Sequence, residues 1–220
     1  PGKDSLDKLF PDVPVFLARI DGHAALANQK ALDMAGVNAD ATIEGGIFET
    51  KLVNGKKVLT GLLVDNAVDF VSKHIPEPSH QEKMETLMQA QKNCFEVGLT
   101  SVAEAGITKN IVQYLDSIQS SGHLKMKIYV MLTPTAENFE YYLKNGPVFK
   151  DKLTVNSFKV YADGALGSRG ACLLNPYKDK KNEIGFLLSH PDTLLALAEK
   201  IGASKFQMNT HCIGDSANRY

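Results

Sequence analysis

The sequence predicts an α/β fold built on a parallel sheet, and three observations carry that prediction. From about residue 76 onward, apolar runs of strand length alternate with segments of helical period. Strands separated by helices become parallel neighbours, because parallel pairs need long crossover connections. The last two strands, "SFKVYAD" and "QMNTHC", each carry one polar face. Strands of an open doubly wound sheet are covered by helices on both sides and read apolar throughout. Periodicity alone leaves barrel or open sheet undecided, and polar residues gathered toward the C-terminal strand ends suggest a barrel, with its chemistry at the mouth.

Residues 1–75 precede the βα rhythm. "GHAALANQKALDMAGV" reads as helical, and "GGIFETKLVNGKKVLTGLLVD" reads as a β-hairpin turning at Asn54-Gly55. This stretch is expected to be an inserted helix and β-hairpin segment, joined through "HIPEPSH" to the partial barrel over 76–220. In "SHQEKMETLMQAQKNCFEVG", Ser79 and Glu82 form a capping box. Met84, Leu87, Met88, Gln91 and Phe95 share one face of that helix, and Gly98 stops it. "LTSVAEAG" is the next strand. A helix beginning near Thr108 turns Ile111, Val112, Leu115 and Ile118 inward, ends near Gly122 and leads to the strand "KIYVML". A weaker helix over 136–145 precedes "SFKVYAD". Pro191 and Gly202 then bracket a helix with Leu194, Leu197, Ala198 and Ile201 on its apolar face, before the last strand, "FQMNTHC".

Composition narrows the partners. A formal net charge of -1 leaves no basic field for nucleic acid and no polybasic run for a membrane surface, so a small-molecule partner is expected. Three cysteines without CxxC spacing argue against a disulfide framework and a structural zinc knot. No apolar run reaches transmembrane length and no signal-peptide pattern opens the chain. A cytoplasmic location is favoured, with the true N-terminus expected to lie outside these residues.

On "SFKVYAD", Phe158, Val160 and Ala162 point one way, and Lys159, Tyr161 and Asp163 the other. On "QMNTHC", Gln207, Asn209 and His211 share the face opposite Met208, Thr210 and Cys212. The segments "FKVYADGALGSRGACL" and "HCIGDSANR", together with "RIDGHAALANQKAL" and "GLTSVAEAG", resemble in order the motifs of the amidohydrolase superfamily. The resemblance is specifically to amidohydrolase family 3, the branch with N-substituted formamide deformylases. It implies a (β/α)8 barrel holding one or two divalent metal ions, zinc foremost, that hydrolyses amide or formamide C–N bonds of small molecules. It also implies that Lys159, on the fourth strand, is carboxylated and bridges the metals, and that His211, on the fifth, is a metal ligand. His23 would belong to a segment closing over the mouth, and Asp163 and Arg169 would shape the substrate pocket.

The family also needs an H-x-H pair, a further histidine and a late aspartate. No H-x-H occurs here, so the chain is expected to be an internal fragment carrying about strands two to five. Such a fragment would be inactive alone, with open strand edges that favour a homo-oligomer.

The chemistry of the lysine agrees with this assignment. An ammonium has no lone pair for a cation, but desolvation frees a neutral amine that can add carbon dioxide and become a carbamate. Plainer alternatives stand beside each residue. Lys159 snorkels to solvent or pairs with Asp163, His211 is a satisfied core histidine, and His23 caps a helix or faces water. The loop "DGALGSRG" offers amides, Ser168 and Arg169 to an anion. Asp215 either orients its loop or caps the following segment, and Glu104 faces either the site or the surface. His74, His80, His123 and His190 read as structural or solvated. A non-catalytic barrel-derived binding domain and a phosphate-binding barrel enzyme remain as alternative functions.

Overall fold

The computed structural model describes residues 2–220, which fall into two units, each with its own apolar core. The first unit comprises the chain up to Pro76 together with Tyr161–Pro191 and Cys212–Tyr220. It holds helix α1 (Asp4–Leu9), strands β1 (Phe16–Ala18) and β2 (Ala24–Ala27), helix α2 (Gln29–Met34), strands β3 (Gly46–Val53) and β4 (Lys56–Asp65), and helix α3 (Asn66–Ser72). The strands form one antiparallel sheet in the order β1-β2-β4-β3.

Ala24–Ala27, expected to be helical, is a strand. Its residues pair on one side with Phe16–Ala18 and on the other with Leu62–Val64. An alanine-rich run has no strand preference of its own, and ladders on both sides override its helix propensity. The helix begins only after Asn28, a fully buried residue. Its Oδ1 accepts from the amides of Val15 and Ala31 at 2.9 and 3.0 Å, and its Nδ2 donates to the carbonyls of Phe10 and Val13.

The hairpin turns where expected. Asn54 and Gly55 take φ of 51° and 74°, the left-handed pair a two-residue hairpin requires, between the partners Val53 and Lys56. Farther along β4 the register with β3 shifts between Phe48 and Thr50. Gly61 lies in that irregularity at φ 92°, and a Cβ there would overlap the Ala27 carbonyl oxygen. The core of this unit is built from Ala27, Leu32, Phe48, Leu63, Ala67 and Val71.

The second unit, Glu77–Val160 and Asp192–His211, carries the βα rhythm. Its elements are α4 (His80–Glu96), β5 (Ser101–Ile107), α5 (Lys109–Ser120), β6 (Lys127–Leu132), α6 (Ala136–Asn145), β7 (Val148–Phe149), β8 (Leu153–Tyr161), α7 (Pro191–Gly202) and β9 (Gln207–His211). Strands β5, β6 and β8 run parallel, β7 is a two-residue antiparallel addition to β8, and β9 also pairs with β8. The fold is therefore mixed α/β around a parallel sheet.

The capping box of α4 is formed by Ser79 and Glu82, each bonding the other's backbone amide. Met84, Leu87 and Met88 pack against the core, whereas Phe95 at the end of that face is exposed. The core is filled by Val130, Leu132, Val155, Phe158, Val160 and Phe206. The Phe158 ring stacks on Phe139 at 4.6 Å and meets Phe206 edge-on at 5.3 Å. Buried Asn138 ties the C-terminal strand ends together, accepting from the Lys109 amide and donating to the carbonyls of Ile107 and Thr133. Among the described residues no helix is long and apolar enough to cross a membrane.

Candidate functional site

The alternation of β8 sets the position of Lys159. Its neighbours Phe158 and Val160 are buried in the helix-covered core, so Lys159 lies on the opposite face of the sheet. Opposite it, the register of β5 and β6 shifts between Ala105 and Ile107, leaving Gly106 at φ 113°. A Cβ at Gly106 would lie 3.8 Å from Cβ and Cγ of Lys159 and 3.6 Å from Thr133 Oγ1, so this strand end lies alongside the lysine stem, and it is the positive φ that calls for glycine there. The Lys159 Nζ is 3.5 Å from the Val160 carbonyl oxygen. Burial pushes the pKa of the amine below the usual lysine range. His211 is the last residue of β9, on the strand beside β8, and is half-buried. Glu104 pairs in register with Val130 and so lies on the helix-covered face, away from Lys159.

The first unit holds the other sequence-predicted residues. Asp163 is fully buried; its oxygens accept from the amides of Cys172, Ile213 and Gly214 at 2.8, 2.8 and 2.7 Å. It fastens two loops to the end of β8. Arg169, at φ 62°, is paired with Asp179 at 2.7 Å. That bond raises the guanidinium pKa and holds the Asp179 carboxyl below its usual range. Asp215 accepts from the Leu174 amide at 2.9 Å and thus clips the neighbouring loop.

The glycine-rich loop spends its amides on itself. Gly164 donates to the Gly170 carbonyl, Arg169 to Leu166, and both Gly170 and Ala171 to Ala165. Of the remaining histidines, His80 packs edge-on against Tyr114, His123 bonds Ser121, and His74 lies by Phe70. The three cysteines are free thiols.

His23 stands at the start of β2 with Nδ1 2.6 Å from Oδ1 of Asp65. Sequence reasoning missed Asp65, reading it only as the end of the hairpin and not as the N-cap position of a helix. It does occupy that position in front of α3, yet its side chain makes no capping bond.

Residues 2–219 match the amidohydrolase family. The chain belongs to that family. It is 32% identical over 222 residues to YtcJ of Bacillus subtilis (strain 168), covering 98% of this chain and 41% of that protein. Over 129 residues it is 29% identical to the N-substituted formamide deformylase of Arthrobacter pascens, covering 56% of this chain and 23% of that enzyme. A solved metal-dependent hydrolase of uncharacterized function from Pyrococcus furiosus superposes with a TM-score of 0.65 at 25% identity, covering 99% of this chain and 44% of that one. The amidohydrolase chain described here thus spans about two fifths of the length of YtcJ and of the solved structure.

The donor chemistry of Lys159 and His211 suits a divalent ion. A neutral imidazole is a ligand for zinc and similar metals, and a lysine amine with a depressed pKa is the form that carbon dioxide converts to a carboxylate-like donor. Among the described residues no three His, Cys, Asp or Glu side chains gather into a metal-holding group.

Proposed function

We propose that this chain is part of a metal-dependent amidohydrolase in which Lys159 and His211 hold a divalent ion, zinc foremost, on adjacent strands of a partial (β/α)8 barrel. The whole protein would hydrolyse C–N bonds of small amide or formamide substrates. The placement of Lys159 carries this reading: a lysine on the face of a parallel strand opposite the helix-covered core, its stem beside a glycine, in a chain of the amidohydrolase family. The name of the Arthrobacter pascens relative supports the substrate class, and that of the Pyrococcus furiosus structure supports the metal.

A divalent ion, when bound, polarises a carbonyl oxygen and makes a water acidic enough to attack near neutral pH. The Lys159 ammonium would lose one proton to become a neutral amine, which would add carbon dioxide, forming one N–C bond as a C=O π bond opens and releasing a second proton, so that a cationic head becomes an anionic donor. His211 contributes an imidazole lone pair. In the first unit we assign substrate recognition to His23, Asp163 and Arg169. Asp163 acts by shaping the loops it fastens, and Arg169 acts from the loop held by its pairing with Asp179.

The test is Lys159→Ala in the whole protein. Metal content and hydrolysis are expected to fall together, beyond the roughly 10–100-fold loss typical when a group behind a ligand is removed. Added acetate, able to take the place of the missing carboxylate, should restore part of both. Unchanged metal content and turnover with alanine at 159 and no added carboxylate would overturn the assignment.

A further inference from the structure

Three segments far apart in the sequence meet at one buried carboxylate. The side chain of Asp65 is 1% exposed and its Oδ1 lies 2.6 Å from Nδ1 of His23. The backbone joins the same two residues, because the Asp65 amide donates to the His23 carbonyl at 3.2 Å, extending the β2–β4 ladder past Ala24 and Val64. On the other side, a Cβ at Gly164 or Gly170 would overlap the Asp65 carboxylate, so both positions leave room for it. These glycines are themselves tied, Gly164 amide to Gly170 carbonyl, at 3.2 Å.

The backbone of Asp65 is strained. At φ 48° and ψ -121° it lies outside the regions open to residues with a Cβ, a conformation costing on the order of 1–3 kcal/mol. Glycine would relieve that strain, and helix capping does not explain the aspartate, since its side chain makes no capping bond. The contact to His23 is one that a carboxylate supplies and a glycine could not.

We infer that Asp65 is a positioning residue that fixes His23 in a single tautomer, with the proton on Nδ1. An ionised carboxylate only accepts, so the ring nitrogen 2.6 Å away carries the hydrogen. In the neutral ring Nε2 is then the acceptor, the form that takes a hydrogen bond from a substrate amide N–H. The side chain of His23 is 15% exposed, so the imidazole is held firmly without being sealed in. The substrate half of this inference rests on the amidohydrolase reading, whereas the tautomer is a property of the protein alone. Gly164 and Gly170 make the glycine-rich loop part of the device, because a side chain at either would push the carboxylate off the ring.

Nitrogen NMR of the histidine rings tests it on this chain, at a pH where the rings are neutral and with no metal or substrate added. His23→Gln assigns the signal. Wild-type His23 is expected to show Nδ1–H, and Asp65→Asn, whose amide can donate, is expected to move the proton to Nε2. Gly170→Ala should do the same by displacing the carboxylate without changing its charge. Circular dichroism and the other histidine signals report whether each variant is folded. Should Asp65→Asn fail to fold, Gly170→Ala and the milder Gly164→Ala, whose Cβ would lie slightly farther from the carboxylate, decide. An Nε2–H tautomer in the wild type, or Nδ1–H kept in a folded Asp65→Asn or Gly170→Ala protein, overturns the inference. A protein that hydrolyses no amide yet shows the Nδ1–H ring supports the His23–Asp65 pairing and counts only against the hydrolase reading.

Discussion

Asp163 spends its carboxylate on three backbone amides, two of them about fifty residues along the chain. A buried donor left without an acceptor costs roughly 1–3 kcal/mol. Asp163→Ala is therefore expected to lower unfolding stability by about 3 kcal/mol or more, measured by denaturant titration. A loss below about 1 kcal/mol would mean that the amides find other acceptors. Lys159 was legible beforehand, since strand alternation alone puts it opposite Phe158 and Val160. The partners of Asp163 were not, because alternation describes a side chain's face and nothing about which distant amides arrive there.

Caps and turns make the sharpest predictions for single elements. The α4 capping box makes Ser79→Ala cost about 1 kcal/mol. Its hydrogen bonds from Ser79 also hold the Glu82 carboxyl below the usual glutamate range. A carboxylate with a depressed folded-state pKa stabilises the fold above its unfolded pKa, and this contribution fades as pH falls through the lowered value. The difference in stability between wild type and Ser79→Ala should accordingly shrink in acid, and a pH series of thermal unfolding curves checks it. At the hairpin, Gly55→Ala places a Cβ at φ 74° and should cost on the order of 1 kcal/mol. Both elements could be read in advance, because a cap and a two-residue turn are each specified within four consecutive residues. Ala24–Ala27 could not, since its strand state comes from β1 and β4.

Each unit of the molecule has its own core, so damage can be directed to one or the other. Leu63, 1% exposed, and Phe158, fully buried, are the natural probes. Leu63→Ala should cost about 2–5 kcal/mol and Phe158→Ala about 3–5 kcal/mol. Hydrogen exchange is expected to quicken first at the amides of the unit that carries the substitution. At the sheet margin, β5 pairs only with β6 among the described residues, and Ser101, Ala103, Glu104 and Ala105 are exposed. An unpaired edge of this kind templates pairing with another chain. Association of copies is thus the expected behaviour, seen as a mass that rises with concentration in light scattering and falls back with Ala103→Pro. A constant monomer mass over a wide concentration range would count against it.

The sequence by itself determined the βα order, the Asn54-Gly55 hairpin, the α4 cap and, through four ordered motifs, the amidohydrolase family. Each of these is encoded in short stretches whose periodicity, turn chemistry or motif spacing survives without neighbours. Only the tertiary structure decided that Ala24–Ala27 is a strand, that Glu104 lies on the helix-covered face, that Asp163 anchors loops through backbone amides, and that Asp65 holds His23. Those outcomes depend on strand register and on which segments close around a buried charge. A carboxylate taken out of water must be met by donors, and the donors come from wherever the fold brings the chain back.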